Sequence, residues 1–412
     1  MTKKIVVTGI GATSPLGGTA RDTWNALLAG ESGITRLEQE WVERYELPVK
    51  FAGQAKVPAA DVLERQEIKR LDPSSQFALI AAREAWADAG APNVDPLRVG
   101  VDYSTGIGGL WTLLDAFETL KEKGPRRVLP MTIPMIMPNG AAAAISMNIP
   151  SRAYARTVVS ACASSTEALA NAYEHLQQGL ADVVIAGGTE AVVHPLPIAA
   201  FAAMQALSRR NDDPATASRP YDSERDGFVL SEGAGALVLE TEEHALARGA
   251  RIYAELAGAA VTADSYHITA PDPEGSAAAR AMLDALEQAG ATPQDVHHIN
   301  AHATSTPVGD IAEYNAMLRV FGDHLPNIPV SATKAATGHL LGGTGALEAI
   351  FTILALHERT APPTINLTNQ DPAIPLDVVT TPRKLPEGPL LAISNSFGFG
   401  GHNAVAAFRT YS

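Results

Sequence analysis

Apolar residues follow two alternating patterns along the chain. Short runs rich in β-branched residues have the composition of strands, and they include "KKIVVTGIG", "DVVIAGG", "GALVLE" and "HHINAHA". Longer segments rich in alanine and leucine lie between them and have the period of a helix. In one of these, Leu169, Ala172 and Leu176 share a face. Gly179 follows where a C-terminal cap belongs. This alternation predicts an α/β protein.

The order of the predicted elements repeats along the chain. The segment "REAWADAGAPNVDPLRVGVDYSTG" lies 200 residues before "LDALEQAGATPQDVHHINAHATST", and both predict a helix, an Ala-Gly-Ala turn, a strand and a turn rich in serine or threonine. A second pair, "FVLSEGAGALVLE" and "SFGFGGHNAVAAF", places a glycine turn before an apolar strand. General similarity among α/β units is the alternative explanation. We expect two related halves, residues 1–250 and 251–412, that meet in "ARGARIYAEL".

Composition and charge narrow the class of protein. The 412 residues are 46% hydrophobic and 18% charged, which is ordinary for a globular protein, and no apolar run approaches the ~20 residues of a membrane span. The N-terminal apolar run is short and broken by glycines, so we expect no signal peptide and a cytoplasmic protein. The formal charge of −14 argues against bulk binding of nucleic acid.

Cys162 is the single cysteine of the chain. One cysteine forms no internal disulfide, and no Cys/His spacing resembles a zinc site, so we expect no bound metal. The pattern predicts a strand that ends at Ala161 and a helix directly after it. Helix N-terminal N–H groups would stabilise a thiolate at Cys162 and bind a developing oxyanion. The alternative is a buried, unreactive thiol, which is the commoner role of a lone cysteine.

Two histidines stand at comparable turns between a strand and a helix. His302 lies in "NAHATSTPVGD" and His339 in "TKAATGHLLGGTG", and small neighbours leave room for a substrate to approach both. A solvated surface histidine is the alternative. His339 precedes another predicted helix, in which Leu347, Ile350 and Leu354 lie on one stripe. With two such histidines in the chain, a reactive Cys162 gains weight over a buried, unreactive thiol.

Motifs along essentially the whole chain resemble the β-ketoacyl-acyl carrier protein synthases, the condensing enzymes of fatty-acid synthesis. They include "VVTGIGATSPLG", "WNALLAGESGI", "SRPYDSERDGFVLSEGAGALVLE", "NAHATSTPVGD", "TKAATGHLLGGTGALEA", "PPTINL" and "ISNSFGFGGHNAVAAF". The sequence is most similar to the elongating type II branch, and "MIMPNGAAAA" with "GGHN" resembles its actinobacterial form. The resemblance implies the thiolase-like five-layered αβαβα fold, in which two related halves have mixed sheets, and a homodimer.

The resemblance also implies a mechanism, a ping-pong Claisen condensation. Cys162 would take an acyl group from an acyl carrier protein, and malonyl carrier protein would then lose carbon dioxide. His302 and His339 would donate N–H groups to the thioester oxygen, with Lys334 supporting them electrostatically. The backbone N–H groups of Cys162 and Phe399 would form the oxyanion hole, and the Phe399 side chain would act as a gate. The alternative for Lys334 is a surface charge.

Further site residues are carried over from the same family. Thr304 and Thr306 resemble the pair that binds the phosphopantetheine arm. Capping of the next helix or turn is the alternative for these hydroxyls. The remaining predictions are the acyl-pocket residues Ile107, Phe201 and Leu341, the polar network of Glu348 and Asp310, and a basic carrier-protein docking surface of Arg65, Lys69, Arg70, Arg126, Arg127, Arg209 and Arg210. Core packing, helix exposure and scattered surface charge are the respective alternatives. The resemblance implies no cofactor, because the carrier arm holds the substrates.

Departures and near relatives qualify this interpretation. Ala303 stands where many relatives have glycine, and His402 where threonine is common, whereas His297 and His298 lie in a predicted strand where we expect no function. A thiolase would need a second catalytic cysteine, and an initiating synthase would use a Cys/His/Asn set. A chain-length factor would lack the nucleophile. The alternatives that stay open are a ketosynthase subunit of a type II polyketide synthase and a non-catalytic partner or scaffold.

Overall fold

Strands alternate with helices in the computed structural model, which describes residues 3–411. Residues 1, 2 and 412, which the predicted halves include, lie outside the described residues. The strands are β1 (Ile5–Thr13), β2 (Thr35–Arg36), β3 (Phe51–Ala52), β4 (Val99–Ser104), β5 (Tyr154–Arg156), β6 (Val183–Glu190), β7 (Gly233–Thr241), β8 (Ala254–Ala263), β9 (Val296–Asn300), β10 (Val330–Ser331), β11 (Thr360–Ala361), β12 (Arg383–Lys384), β13 (Leu391–Gly398) and β14 (His402–Arg409). Strands β1, β6, β7 and β9 confirm the four strands predicted from β-branched runs.

The helices connect these strands, and most of the longer ones pack on the sheet. They are α1 (Ala20–Leu28), α2 (Trp41–Arg44), α3 (Arg65–Ile68), α4 (Pro73–Asp88), α5 (Leu110–Lys123), α6 (Thr132–Ile136), α7 (Gly140–Asn148), α8 (Ser164–Gln177), α9 (Pro195–Ala203), α10 (Glu242–Ala247), α11 (Ser276–Gln288), α12 (Pro307–Phe321), α13 (Lys334–Thr337) and α14 (Thr344–His357). Short 3₁₀ turns precede several of them. Two of these turns carry the residues of the site.

Ten strands form one ladder in the order β10-β9-β13-β14-β8-β1-β7-β6-β4-β5. Each set of five strands has the same internal order, in which its third strand is followed by its second, fourth, fifth and first. The sets join through antiparallel pairing of β1 with β8, where Ile5 lies opposite Leu256. Pairing within a set is mixed, since β4 runs parallel to β6 and β6 antiparallel to β7. The two related halves are therefore visible in the topology.

Helices α8 and α14 lie between the two sets of strands. Helix α8 contacts β4 and β6 on one side and β8 and β14 on the other, and α14 contacts β7 and β13. Helices α4 and α7 cover the outer face of the first set, and α11, with α12 packed on it, covers the second. This arrangement confirms the predicted α/β class and its five layers. The division between residues 250 and 251 stays a prediction, which the repeated strand order supports.

The two central helices differ in how far they are buried. Leu169, Ala172 and Leu176 are buried on α8, and Gly179 has a φ of 75°, so the predicted helix and its cap are confirmed. Leu347 and its stripe are also buried on α14, but so are residues 344–356 throughout. The prediction of one apolar stripe was too narrow, because α14 is covered on all sides by β7, β13, β11, α8 and α1.

The segment before Cys162 is not the predicted strand. Strand β5 ends at Arg156, and residues 157–160 have no regular structure. A 3₁₀ turn at Ala161–Ala163 then leads into α8. We name residues 161–177 the first turn–helix unit. Its counterpart, residues 341–357, is the second turn–helix unit, in which a 3₁₀ turn at Leu341–Gly343 leads into α14.

Candidate active site

A cavity of about 370 Å³ opens beside the first turn–helix unit. Cys162 lines it, and so do His302, His339 and Phe399. His302 follows β9 and Phe399 follows β13, whereas His339 follows the short helix α13 rather than the end of a strand, and these three segments meet the turn that carries Cys162. Side chains that are far apart in the sequence therefore share one chamber.

The Cys162 thiol is buried between two backbone donors. Burial raises the pKa of the thiol to about 11, although the charge of Lys334 and the N–H groups of Phe399 and Cys162 itself lower it. The predicted stabilised thiolate was wrong, because the loss of water outweighs the donors. Gly398 permits the approach of Phe399, since a Cβ at Gly398 would lie 2.8 Å from the Ser160 carbonyl oxygen and 3.1 Å from the Cys162 nitrogen.

The His302 and His339 rings meet edge to face. Their centroids are 5.4 Å apart and their planes are inclined by 85°. Burial lowers the pKa of each imidazole well below its usual value, and the nearby charge of Lys334 lowers both further. Both rings are therefore neutral at physiological pH, and each carries one N–H that can be donated. The alternative of solvated surface histidines is excluded, because both are buried.

The turn that carries His302 is fixed by a buried carboxylate. Glu313 accepts hydrogen bonds from the backbone N–H groups of His302 at 2.8 Å and Ala303 at 2.7 Å. Ala303 has a φ of 25°, a conformation that favours glycine. The departure at residue 303 thus leaves a modest strain in the turn beside His302.

Lys334 and Glu348 form an ion pair in the interior, next to the histidines. The Lys334 Nζ donates to the Glu348 Oε1 at 2.7 Å and to the His302 carbonyl oxygen at 2.5 Å. Burial raises the pKa of Glu348 to about 7, and the charge of Lys334 opposes that shift. The alternatives, a surface charge at Lys334 and an exposed helical residue at Glu348, are excluded, because both side chains are buried. Lys334 therefore connects the helix α14 to the His302 turn.

Thr304 and Thr306 both line the cavity. Their hydroxyl oxygens are 3.0 Å apart, and Ser305 between them has a φ of 66°, so the chain turns between the two threonines rather than running extended. Thr306 also caps α12 by accepting from the Gly309 N–H, so the capping alternative holds for this residue as well. Asp310 is buried behind the segment and accepts from the Ser305 N–H at 3.1 Å. Its place is in the scaffold of the loop rather than in the cavity.

Family comparisons agree with this constellation. A description of the β-ketoacyl synthase N-terminal domain matches residues 2–245, and that of the C-terminal domain matches residues 253–368. The chain belongs to the β-ketoacyl synthase family. Proteins named 3-oxoacyl-acyl-carrier-protein synthase 2 are 46% identical in Synechocystis sp., 45% in Mycobacterium tuberculosis and 44% in Staphylococcus aureus. Each alignment covers 99% of this chain and 97–99% of the relative.

Solved structures of ketosynthases share the fold of this β-ketoacyl synthase. One is a type II polyketide ketosynthase bound to a hexaketide, in complex with its acyl carrier protein, with a TM-score of 0.92 and 34% identity. Another is a β-ketoacyl synthase from Burkholderia phymatum, with a TM-score of 0.90 and 36% identity. Both alignments cover 100% of each chain. The thiolase-like prediction is confirmed.

The predicted acyl-pocket residues of this synthase all line the cavity. Ile107, Phe201 and Leu341 are part of its wall, and the Phe201 ring lies 6.4 Å from that of Phe399. Phe228 extends the apolar wall and stacks edge-on against Phe201, with ring centroids 5.2 Å apart. Sequence reasoning missed Phe228. Its only signal was its position inside the quoted "DGFVL" motif.

Sequence reasoning also missed a buried carboxylate at the end of β6. Glu190 accepts hydrogen bonds from the Thr105 hydroxyl at 2.8 Å and from the N–H groups of Gly106 at 2.8 Å, Ile107 at 3.2 Å and Gly342 at 3.0 Å. It joins the turn of Ile107 to the turn of Leu341, so it holds two walls of the cavity together. Its only sequence signal was a charged residue directly after an apolar strand.

The predicted docking residues are mostly on the surface. Exposed side chains belong to Arg65, Lys69, Arg70, Arg126, Arg127 and Arg209. Arg210 differs, because it is half-buried and donates to the Glu224 carbonyl oxygen at 3.0 Å and to its carboxylate at 3.3 Å. The role of these residues in docking stays a prediction.

The other histidines lie outside the cavity wall. His298 is fully buried in β9, where its Nε2 is 2.9 Å from the Ser331 hydroxyl and burial lowers its pKa to about 3. His297 is half-buried, and its Nδ1 accepts weakly from the Leu391 N–H at 3.4 Å. His402 begins β14 and packs against Gly400, where an added Cβ would lie 3.1 Å from its ring.

Neither a metal site nor a membrane span is found between residues 3 and 411. No three His, Cys, Asp or Glu side chains in that range lie together as a metal site needs. No helix of the same range combines the length and hydropathy needed to cross a bilayer.

Proposed function

We propose that the protein elongates fatty acyl chains by decarboxylative Claisen condensation on acyl carrier protein. In the first half-reaction the Cys162 sulfur attacks the thioester carbonyl of an acyl carrier protein. A new carbon–sulfur bond forms, the bond to the pantetheine sulfur breaks, and the Cys162 proton passes to the leaving pantetheine thiolate. The N–H groups of Cys162 and Phe399 stabilise the oxyanion of the tetrahedral intermediate.

In the second half-reaction a malonyl carrier protein enters the same cavity. Its carboxylate leaves as carbon dioxide, and the electron pair becomes an enolate on the thioester. His302 and His339 donate N–H groups to the enolate oxygen, where the negative charge develops. The carbanion then attacks the acyl carbonyl on Cys162, and the cysteine leaves and takes up a proton. The product is a β-ketoacyl carrier protein, and no cofactor takes part.

One observation carries this proposal, namely two neutral imidazoles in one cavity with the only thiol of the chain. Protonated imidazoles would also bind the enolate, but they would transfer a proton to it. They would also bind the malonyl carboxylate, which would oppose its loss as carbon dioxide. Neutral rings in a low-dielectric cavity favour the charge that appears only in the transition state. The burial that lowers the two histidine pKa values therefore supports decarboxylation.

The same proposal includes the partners and the location. Thr304 and Thr306 at the cavity wall are suited to hydrogen-bond the pantetheine arm, and the exposed arginines suit an acidic carrier protein. We propose a homodimer, supported by the open edge of β5 and by exposed apolar side chains nearby in sequence, such as Ile133 and Met147. A cytoplasmic location belongs to this proposal.

Intact-protein mass spectrometry tests the chemistry. The wild type and Cys162→Ala are incubated with a long-chain acyl carrier protein and then with malonyl carrier protein. We expect an acyl adduct on the wild type alone, its loss on malonyl addition, and release of a β-ketoacyl carrier protein. If the wild type forms no adduct with any chain length, the scaffold alternative is indicated, because Cys162 is the only cysteine of the chain and no other thiol is available.

Carrier docking has its own test. Arg126→Glu with Arg127→Glu should raise the KM for acyl carrier protein and reduce its dependence on salt. The matched control is malonyl pantetheine without the protein, whose use should not change. An unchanged KM at several salt concentrations would remove these two residues from the docking surface.

The polyketide alternative differs in the partner rather than in the chemistry. One similar structure is a type II polyketide ketosynthase at 34% identity, and another is the ishigamide ketosynthase/chain length factor at 30%, whereas the synthase 2 relatives reach 44–46%. This difference favours fatty-acid elongation. For fatty-acid elongation we expect one condensation on each carrier protein and no requirement for a partner subunit. A requirement for a second, cysteine-free subunit would favour the polyketide role.

A further inference from the structure

Thr344, the first residue of α14, touches the His339 imidazole. Its hydroxyl oxygen lies 2.9 Å from the His339 Nδ1, and both residues are buried. Within residues 3–411 this hydroxyl makes no other hydrogen bond, and the His339 Nε2 has no protein partner. One side of the ring is therefore held by a threonine. The other ring nitrogen, Nε2, is without a protein partner among the described residues, and the ring lines the cavity.

A single partner decides the direction of this hydrogen bond. A neutral imidazole has one N–H, and a hydroxyl can donate or accept. If Nδ1 carried the proton and donated to Thr344, the threonine O–H would be buried without an acceptor, which is costly. If Thr344 donates to Nδ1 instead, its O–H is satisfied and the ring proton lies on Nε2. The second arrangement satisfies both residues.

We propose that Thr344 is a positioning residue that holds His339 in the tautomer protonated at Nε2. The consequence for catalysis rests on the proposed function, since only an Nε2–H can donate to the enolate oxygen from that nitrogen. The opposite tautomer would present a lone pair to the developing negative charge. The tautomer itself does not depend on the reaction.

The first turn–helix unit shows that a hydroxyl at this position can bond to its own turn instead of to a neighbouring side chain. Ser164 occupies the position equivalent to Thr344, and its hydroxyl donates to the Ala161 carbonyl oxygen at 2.6 Å and accepts from the Ser160 N–H at 2.9 Å. It stays within its own turn. Thr344 makes no such bond and faces the histidine, so its hydroxyl is committed to the ring.

Three variants separate positioning from packing. Thr344→Val keeps the shape and removes the hydroxyl, and Thr344→Ser keeps the hydroxyl. Thr352→Val is the matched control, because Thr352 is also buried on α14 but donates to the Glu348 carbonyl oxygen at 2.8 Å. Thermal melting checks that all three fold. Nitrogen-15 NMR of labelled histidine, assigned with His339→Gln, reports the tautomer.

We expect the His339 Nε2 to carry the proton in the wild type, Thr344→Ser and Thr352→Val, and a mixture of tautomers in Thr344→Val. Decarboxylation of malonyl carrier protein should fall about tenfold in Thr344→Val, as expected for the loss of one hydrogen bond. Acyl transfer to Cys162 should stay within about twofold, and Thr344→Ser should restore decarboxylation.

Two results would overturn the proposal. One is a wild-type His339 protonated at Nδ1, and the other is a Thr344→Val protein with an unchanged tautomer and unchanged decarboxylation. A wild type that never decarboxylates malonyl carrier protein contradicts the proposed function instead, while the NMR spectrum still decides the tautomer.

Discussion

The two turn–helix units have nearly the same backbone and different chemistry. Each begins with a residue of positive φ, Ala161 at 50° and Leu341 at 46°. Each continues through a three-residue 3₁₀ turn into a 14-residue helix. The second residue of the turn is Cys162 in the first unit and Gly342 in the second. The local fold therefore offers the same position twice, and one copy holds Cys162, the proposed nucleophile.

What packs against each turn explains the difference. A Cβ at Gly342 would lie 2.2 Å from the Gly106 nitrogen and 2.9 Å from a carboxylate oxygen of Glu190, so no side chain fits there. Cys162 instead lines the cavity. The chemistry of a turn thus depends on the space that its neighbours leave, and two copies of one unit can become a reactive site and a packed wall.

Exchanging the second residue of the first turn should have the largest effect. Cys162→Gly gives the first turn the glycine that the second turn has at the same position, Gly342. It removes the proposed nucleophile, so condensation should fall by more than about 1,000-fold. Stability should change by only about 1 kcal/mol. Carrier-linked product assays and urea unfolding measure the two quantities. Residual condensation above a tenth of wild type would contradict a covalent mechanism.

The second unit carries a buried charge that the first lacks. Glu348 pairs with Lys334, and the equivalent position on α8 is Ala168. Lys334→Met should leave the carboxylate unpaired and cost about 3–5 kcal/mol of unfolding free energy. Burial already raises the folded-state pKa of Glu348 to about 7, above its unfolded value. The variant should therefore be more stable at pH 5 than at pH 8, since the protonated form is favoured on folding.

A double variant controls this experiment. Lys334→Met with Glu348→Leu should recover most of the lost unfolding free energy, because no unpaired charge is left, but not the condensation activity. Equal stability of the single variant at pH 5 and pH 8 would show that Glu348 does not cause the loss.

Gly342→Ala tests the closed turn. The added methyl group meets backbone atoms, so the turns of Gly106 and Gly342 must separate, at a cost of about 1–3 kcal/mol. Gly140→Ala is the control, because its nearest contact is 3.3 Å and it begins a helix. Urea unfolding of both variants measures the difference. A Gly342→Ala protein as stable as Gly140→Ala would contradict the packing account.

The helix ends should give the smallest effect. Gly179 and Arg359 end α8 and α14 at equivalent positions, with φ of 75° and 50°. Gly179→Ala should cost about 1 kcal/mol, because an L-residue is strained there. Arg359→Gly relieves that strain but removes donors to the Pro386 and Gly388 carbonyl oxygens, so it should be close to neutral. Thermal unfolding measures the stability of both variants. A Gly179→Ala protein as stable as the wild type would contradict the prediction that the positive φ causes strain.

Local pattern and family motifs predict much of this protein. They predict the strand that leads to His302, the helix after Cys162 and the residues that line the cavity, but the strand that they place directly before Cys162 is wrong. These features depend on neighbours in sequence, such as the small residues around His302 and His339. The second helix was predicted with one apolar stripe, because periodicity alone does not show that α14 lies between two sheets.

Features that depend on distant partners were not predictable. The raised pKa of Cys162 follows from burial by segments that are distant in the sequence, such as β13 and the turn at Leu341–Gly343. Glu190 has four donors from two other turns, and Thr344 matters only because the His339 ring turns toward it. A charged or hydroxyl residue looks the same in the sequence whether it faces water or a buried partner, so its role depends on the assembled fold.

The position of β1 has a consequence for how the chain folds during synthesis. This strand occupies residues 5–13, but it pairs with β7 at residues 233–241 and with β8, which begins at Ala254. A ribosome needs roughly 10–50 s to add the intervening residues. During that time an apolar strand made first has no partner, and the sheet can be completed only after most of the chain has been made. Chaperone contact with the first residues is thus expected to last longest.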